Sequence, residues 1–167
     1  MLTNQTEKTY HQSFIQFCLF TITASGVAAL AAWGSAALDF EVWVMFTGFI
    51  AWFTRSASFR ESFSAMICLW LGIGLASVGY VMAGALMLPL GTLALPLVVF
   101  LVAILIVSLR TTSIVNNMLT WFLGMVTFFA ADLEISASTF VYLCGASAIG
   151  GFAGWTCQSL NRHWVVN

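Results

Sequence analysis

Residues 63–109 read FSAMICLWLGIGLASVGYVMAGALMLPLGTLALPLVVFLVAILIVSL, with no Asp, Glu, Lys, Arg or His anywhere in the run. At about 1.5 Å per helical residue this stretch reaches about 70 Å, two crossings of a hydrocarbon layer about 30 Å thick. A soluble domain of this size has no interior that could hide so long an uncharged run. Near its middle stand Met87, Leu88, Pro89, Leu90 and Gly91. Proline and glycine so placed predict a hairpin between two helices. The pair becomes the centre of an all-α integral membrane protein, with comparable lengths of chain on either side.

The composition agrees. The chain is 61% hydrophobic and 7% charged, against about 25% charged in ordinary globular domains. The apolar runs are continuous rather than alternating in period two, so helices are expected and an outer-membrane barrel is not. A formal charge of −1 gives no reason to expect nucleic acid as a partner. The expected surroundings are lipid, a small neutral solute or a second copy of the chain. Cys18, Cys68, Cys144 and Cys157 form no CxxC pair and lie within apolar runs, so packing explains them better than metal or redox chemistry. His11 and His163 stand at the two ends and read as interfacial. No metal-binding helix motif, phosphate loop or Ser–His–acid set can be assembled. No cofactor, metal or enzymatic activity is expected.

Six apolar segments follow one another: 13–38, 42–54, 63–87, 92–109, 113–131 and 135–160. Residues 14–24 could serve as the apolar core of a signal peptide, but the run continues to Leu38 and is long enough to span. It reads as a retained first helix, after a cytoplasmic arm over 1–12. With six crossings and the N-terminus in the cytoplasm, Lys8, Arg55, Arg60, Arg110 and Arg162 all fall inside, and a short tail over 161–167 joins them. Asp39, Glu41, Asp132 and Glu134 all fall outside. This is the asymmetry that sets membrane orientation. Segments two and five are short enough to be re-entrant, yet turning segment two back would place Arg55 and Arg60 beside Asp39. The charge pattern therefore favours full crossings, helped by local thinning or a break in the helix.

An internal repeat accompanies the charge pattern. Phe46, Gly48 and Phe53 in segment two match Phe122, Gly124 and Phe129 in segment five at an offset of 76. Carried forward, that offset pairs Ser62 with Ser138, Cys68 with Cys144, and Gly74 with Gly150. Two three-helix halves, at about 13–87 and 92–160, have an odd number of crossings each, so the second must be inverted. Inverted repeats are the usual build of channels and secondary transporters, and their short segments point to the pathway.

No ionisable residue lies in the middle of a segment. Proton-coupled carriers usually keep one there, so the pattern suits a passive route for a neutral solute. The lining candidates are Thr47, Gly48, Ser77, Asn116, Asn117, Thr120, Gly124 and Thr127. Helix-packing candidates are Gly72, Gly74, Gly145, Gly150 and Gly154, since small residues let backbones approach closely in lipid. The leading expectation is a channel or facilitator. The alternative is a non-transporting membrane subunit or scaffold, assembled through its small-residue faces.

The run Trp121, Phe122, Leu123, Gly124, Met125, Val126, Thr127, Phe128, Phe129, Ala130, and the glycine-rich stretch from Gly145 to Gly154, resemble a family of small bacterial inner-membrane proteins catalogued as a domain of unknown function, number 1097. The likeness covers 24–160. The link from Arg55 to Arg60 departs from the glycine-containing link of that family. The resemblance implies a multi-pass location in the bacterial cytoplasmic membrane. It implies no activity and supplies no catalytic residue.

Overall fold

The computed structural model describes the backbone of residues 2–55 and 58–165, and the side chains of 15–55 and 58–162. His11, His163, Lys8 and Trp164 lie outside the described side chains. Six α-helices follow in order among the described residues: α1 Leu2–Ala37, α2 Val42–Phe53, α3 Phe59–Leu90, α4 Ala94–Ser108, α5 Met118–Ala131 and α6 Ala137–Val165. Single 3-10 turns, Gly91–Leu93 and Leu109–Thr111, flank α4. Three of the spans formed are long and apolar enough to cross a membrane: Ile15–Ala37, Phe59–Thr111 and Ala137–Arg162.

The helix ends follow from local chemistry. Ser58 holds extended backbone before α3, and its hydroxyl accepts the Glu61 amide at 3.3 Å. The order Ser, Phe, Arg, Glu is that of a capping box. At the far end, α3 runs through Pro89 to Leu90 and stops at Gly91, with φ 54° and ψ −130°. Only glycine tolerates that backbone. The break expected near 87–91 is therefore made by Gly91, with Pro89 accommodated in the last turn. Pro96 falls in the first turn of α4, where a backbone N–H has no helical partner to lose. Asp39 after α1 and Asp132 after α5 are the two non-glycine residues with positive φ among the described residues, a conformation that aspartate visits more readily than most.

Other boundaries differ from the sequence reading. α1 is helical from Leu2, so the polar arm over 1–12 continues the first helix. α6 likewise carries the helix to Val165 through most of the expected tail. Segment five begins its helix only at Met118. Residues 112–117 are non-helical, although β-branched Ile114 and Val115 made them read as part of an apolar run.

The most extensive packing joins α2 to α6 and α3 to α5, with α1 laid on α6 and α4 folded back on α3. α2 and α6 run in the same direction: Phe40, just before α2, packs on Tyr142 with the rings tilted, and Trp52 meets Gln158. α3 and α5 also run together, since Ser64 bonds Ile114 and Tyr80 packs on Phe128 and Phe129. The two seams share a register. A Cβ on Gly48 would strike the backbone of Ser147, and one on Gly124 the carbonyl of Leu69. A Cβ on Gly150 would strike the carbonyl of Met45, and one on Gly72 that of Trp121. An offset of 76 carries Met45 and Gly48 to Trp121 and Gly124. An offset of 78 carries Leu69 and Gly72 to Ser147 and Gly150. The start of α2 maps onto that of α5 with the first offset, and the start of α3 onto that of α6 with the second. On the long helices the packing thus departs by two residues from the pairs Ser62 with Ser138, Cys68 with Cys144, and Gly74 with Gly150. α5 is two residues longer than α2 and the connectors that follow them are of equal length, which accounts for the difference.

Candidate functional site

The residues expected to line a solute path sit in or beside the two seams, and their polar atoms are already engaged. Thr47 donates to the Val44 carbonyl at 2.7 Å, Thr120 to Asn117 at 3.0 Å, Thr127 to Leu123 at 2.8 Å and Ser77 to Ile73 at 3.0 Å. Such bonds to the preceding turn are how a hydroxyl is satisfied within an apolar helix. Thr47, Thr120 and Thr127 are buried. Gly48 and Gly124 are filled by the opposing backbones described above. Midway along the bundle, Trp70 Nε1 donates to Ser147 Oγ at 3.0 Å, and Ser147 donates to the Cys144 carbonyl at 3.0 Å.

The helix-packing glycines divide between two kinds of contact. Gly72 and Gly150 oppose backbone, whereas Gly74 faces the Phe140 ring, Gly145 the Phe40 ring and Gly154 the side chain of Trp52. All five face neighbours within the chain. Gly26, Gly34 and Gly84 have open space where a Cβ would stand.

Asn116 and Asn117 belong to a knot at the end where α2 finishes and α3 and α5 begin. Arg55 Nη1 donates to Asn116 Oδ1 at 2.5 Å, and its Nη2 to the Asn116 carbonyl at 3.5 Å. Asn117 Nδ2 donates to Thr54 Oγ1 at 2.7 Å. Ser62 donates to the Arg55 carbonyl at 2.8 Å, Ser64 to the Ile114 carbonyl, and Trp121 Nε1 to the Val115 carbonyl at 2.9 Å. The non-helical stretch before α5 therefore has three consecutive carbonyls bonded by side chains. Irregular backbone at the edge of an apolar layer persists only when its polar groups find partners within the protein. The sequence singled out the two asparagines but not their partners, Arg55 for Asn116 and Thr54 for Asn117. An arginine followed 61 residues later by paired asparagines carries no local signal.

The opposite end is acidic and aromatic. Tyr142 accepts the Glu41 amide at 2.8 Å and donates to the Asp39 carbonyl at 3.4 Å, while its ring packs on Phe40. A cavity of about 260 Å³ beside Asp132 and Glu134 is walled by Tyr80, Phe128 and Phe129. Basic and acidic residues thus occupy opposite ends of the α2, α3 and α5 group.

Two further cavities adjoin at the basic end. One, about 320 Å³, is an aromatic slot between α2, α3 and α6, walled by Trp52, Phe63, Met66, Trp70, Phe152 and Trp155, among others. The other, about 700 Å³, is polar and lies among Arg55, Ser58, Arg60, Glu61, Ser64 and Asn116. Phe63 belongs to the walls of both. Thr47, Gly48, Thr120, Gly124 and Thr127 line neither these two cavities nor the one at the acidic end, whereas Asn116 lines the polar one. Among the described residues, no cluster of His, Cys, Asp and Glu could hold a metal ion.

An all-helical chain with three spans of membrane-crossing length, apolar outer surfaces and polar groups turned onto its own backbone has the features of a membrane protein. More particularly, a family model described as "Protein of unknown function (DUF1097)" matches residues 21–161, and the chain belongs to that family. Comparison with the curated proteins and with the solved structures found no match.

Proposed function

We propose that this chain is a multi-pass protein of the bacterial inner membrane, with six crossings and both termini inside, built from two inverted three-helix halves, and that it serves as a packed, non-conducting membrane subunit. Support for the inverted halves comes from the two seams, which repeat one register while α2 and α5 run in opposite senses. Support for the orientation comes from the collection of Arg55, Arg60 and Arg110 at helix ends opposite to Asp39, Glu41, Asp132 and Glu134, since basic residues favour the cytoplasmic face. α2 and α5, of 12 and 14 residues, reach about 18 and 21 Å. Each lies against a long neighbour that shields its irregular ends from lipid.

The observation that carries the non-conducting reading is the filling of the seams. Every hydroxyl proposed to touch a solute along α2 and α5 is bonded to its own helix, and the glycines there are occupied by opposing backbone. The open glycines Gly26, Gly34 and Gly84 then offer lipid-facing sites for a partner helix. The rival reading, a channel or facilitator for a small neutral solute along α2 and α5, rests on the general use of inverted repeats in transport and requires the seams to part. Solute flux decides between them. Purified protein in liposomes is expected to pass a broad panel of neutral solutes no faster than empty vesicles do. Flux above that background would replace the subunit with the facilitator.

A further inference from the structure

The slot and the polar cavity at the basic end divide one surface region into an apolar part and a charged part. The slot takes its walls from α2, α3 and α6, and three of them are tryptophans, Trp52, Trp70 and Trp155. Its outer rim is formed by Phe59, Phe63, Phe152 and Trp155, all exposed. The polar cavity on the other side of Phe63 contains two arginines against one carboxylate, that of Glu61. Arg55 is fixed in place by Asn116, and Arg60 is exposed. An apolar trough and a net-positive recess that share one aromatic wall are the two halves of a receptor for an amphiphile with a negative head.

The other half of the molecule supplies a comparison within the chain. Applying the packing offset of 78 turns Phe59, Phe63 and Trp70 into Ala137, Val141 and Ala148, and turns Phe152 and Trp155 back into Gly74 and Ser77. The offset of 76 turns Arg55 into Ala131, next to Asp132. The equivalent place at the acidic end keeps an aromatic ring for Trp52, in Phe128, and gains Trp70 for Ala148, but it lacks the other five aromatic walls and both cations. The repeated backbone does not require them, so their joint presence at the basic end calls for a reason other than packing.

We propose that the two cavities together bind one phospholipid with an anionic headgroup, its phosphate beside Arg55 and Arg60 and one acyl chain in the aromatic slot. A phosphate is well matched by guanidinium donors, and aromatic side chains are favoured where apolar chains meet headgroups. This assignment does not rest on the non-conducting reading; it needs only that the basic end lies at a lipid headgroup layer.

The test uses the full chain in vesicles of phosphatidylcholine containing either brominated phosphatidylglycerol or brominated phosphatidylcholine, read by quenching of tryptophan fluorescence. Brominated phosphatidylglycerol is expected to quench at the lower mole fraction. Arg60→Gln, at an exposed position, is expected to reduce that preference about fivefold, the worth of one basic residue near an anionic headgroup. Arg110→Gln, at the same end but outside both cavities, is expected to leave it unchanged. Ala148→Phe, which fills the slot from α6, is expected to reduce quenching by both brominated lipids. Equal losses from Arg60→Gln and Arg110→Gln would reduce the effect to general surface charge and overturn the site. So would equal quenching by the two lipids in the unaltered protein, or unchanged quenching in Ala148→Phe. Loss of the preference in 100 mM inorganic phosphate at constant ionic strength would assign the cations to a free anion and overturn the lipid.

Discussion

Gly48, Gly72, Gly124 and Gly150 each stand where a single added methyl meets backbone rather than a movable side-chain tip. Backbone in two packed helices cannot retreat without moving the whole seam. Alanine at any of the four is therefore expected to destabilise the protein by about 1–3 kcal/mol, in the range of core overpacking. Gly26→Ala has open space around it and removes the helix penalty of glycine, so it is expected to be neutral or to stabilise by up to about 1 kcal/mol. Thermal unfolding of purified variants in one detergent, read by circular dichroism, compares them directly. A seam variant that melts with Gly26→Ala would show that the helices are less closely joined than these contacts imply. The seam glycines were legible as small residues in apolar segments. Their partners were not, because which backbone a glycine admits is decided by helix rotation. A helix glycine of this kind looks the same in sequence whether it faces a carbonyl, as Gly150 does, or open space, as Gly26 does.

The start of α5 shows where pattern reading ends. Ser113, Ile114 and Val115 continue an apolar run in sequence, and nothing in their composition distinguishes them from helix. Their backbone is nonetheless irregular, because Ser64, Trp121 and Arg55 supply the carbonyl partners that a helix would otherwise provide. These donors lie on α3, on α5 and just beyond α2, so the exception is written in tertiary contacts. Asn116→Ala leaves the Arg55 guanidinium without its shortest partner. A hydrogen bond to a charged group contributes about 1.5–3 kcal/mol, and a loss of that order is expected. Asn116→Asp retains an acceptor and is expected to recover most of it. Denaturation of the three proteins in mild detergent checks the order. Equal stability of Asn116→Ala and the unaltered chain would mean that the guanidinium is satisfied elsewhere. The long helices were far more legible. An uncharged run cannot be anything else in a chain this apolar, and the turn at Gly91 lies within the predicted hairpin, fixed by a backbone that only glycine adopts.

For the assembled chain the decisive property is sidedness. The parallel pairings of α2 with α6 and of α3 with α5 follow if successive helices alternate in direction, which short connectors enforce. Alternation places the α2–α3 link and the approach to α5 at one end, and the α1–α2 and α5–α6 links at the other. Charge then predicts which end faces the cytoplasm, because translocating arginine across the membrane is disfavoured whereas aspartate and glutamate have little influence. Single cysteines at Arg60 and at Glu134, two exposed positions at opposite ends, are expected to react with a membrane-impermeant thiol reagent from opposite sides. Arg60→Cys should be protected in intact cells and labelled in inverted vesicles, and Glu134→Cys should do the reverse. The native cysteines form a suitable background: Cys68 and Cys157 are buried, and Cys18 and Cys144 are partly so. Labelling of both introduced cysteines from the same side would separate the internal packing register, which would stand, from the six-crossing topology, which would fall. It would also show that at least one of the short helices turns back within the bilayer, bringing the proposed lipid site and the acidic cavity to the same leaflet.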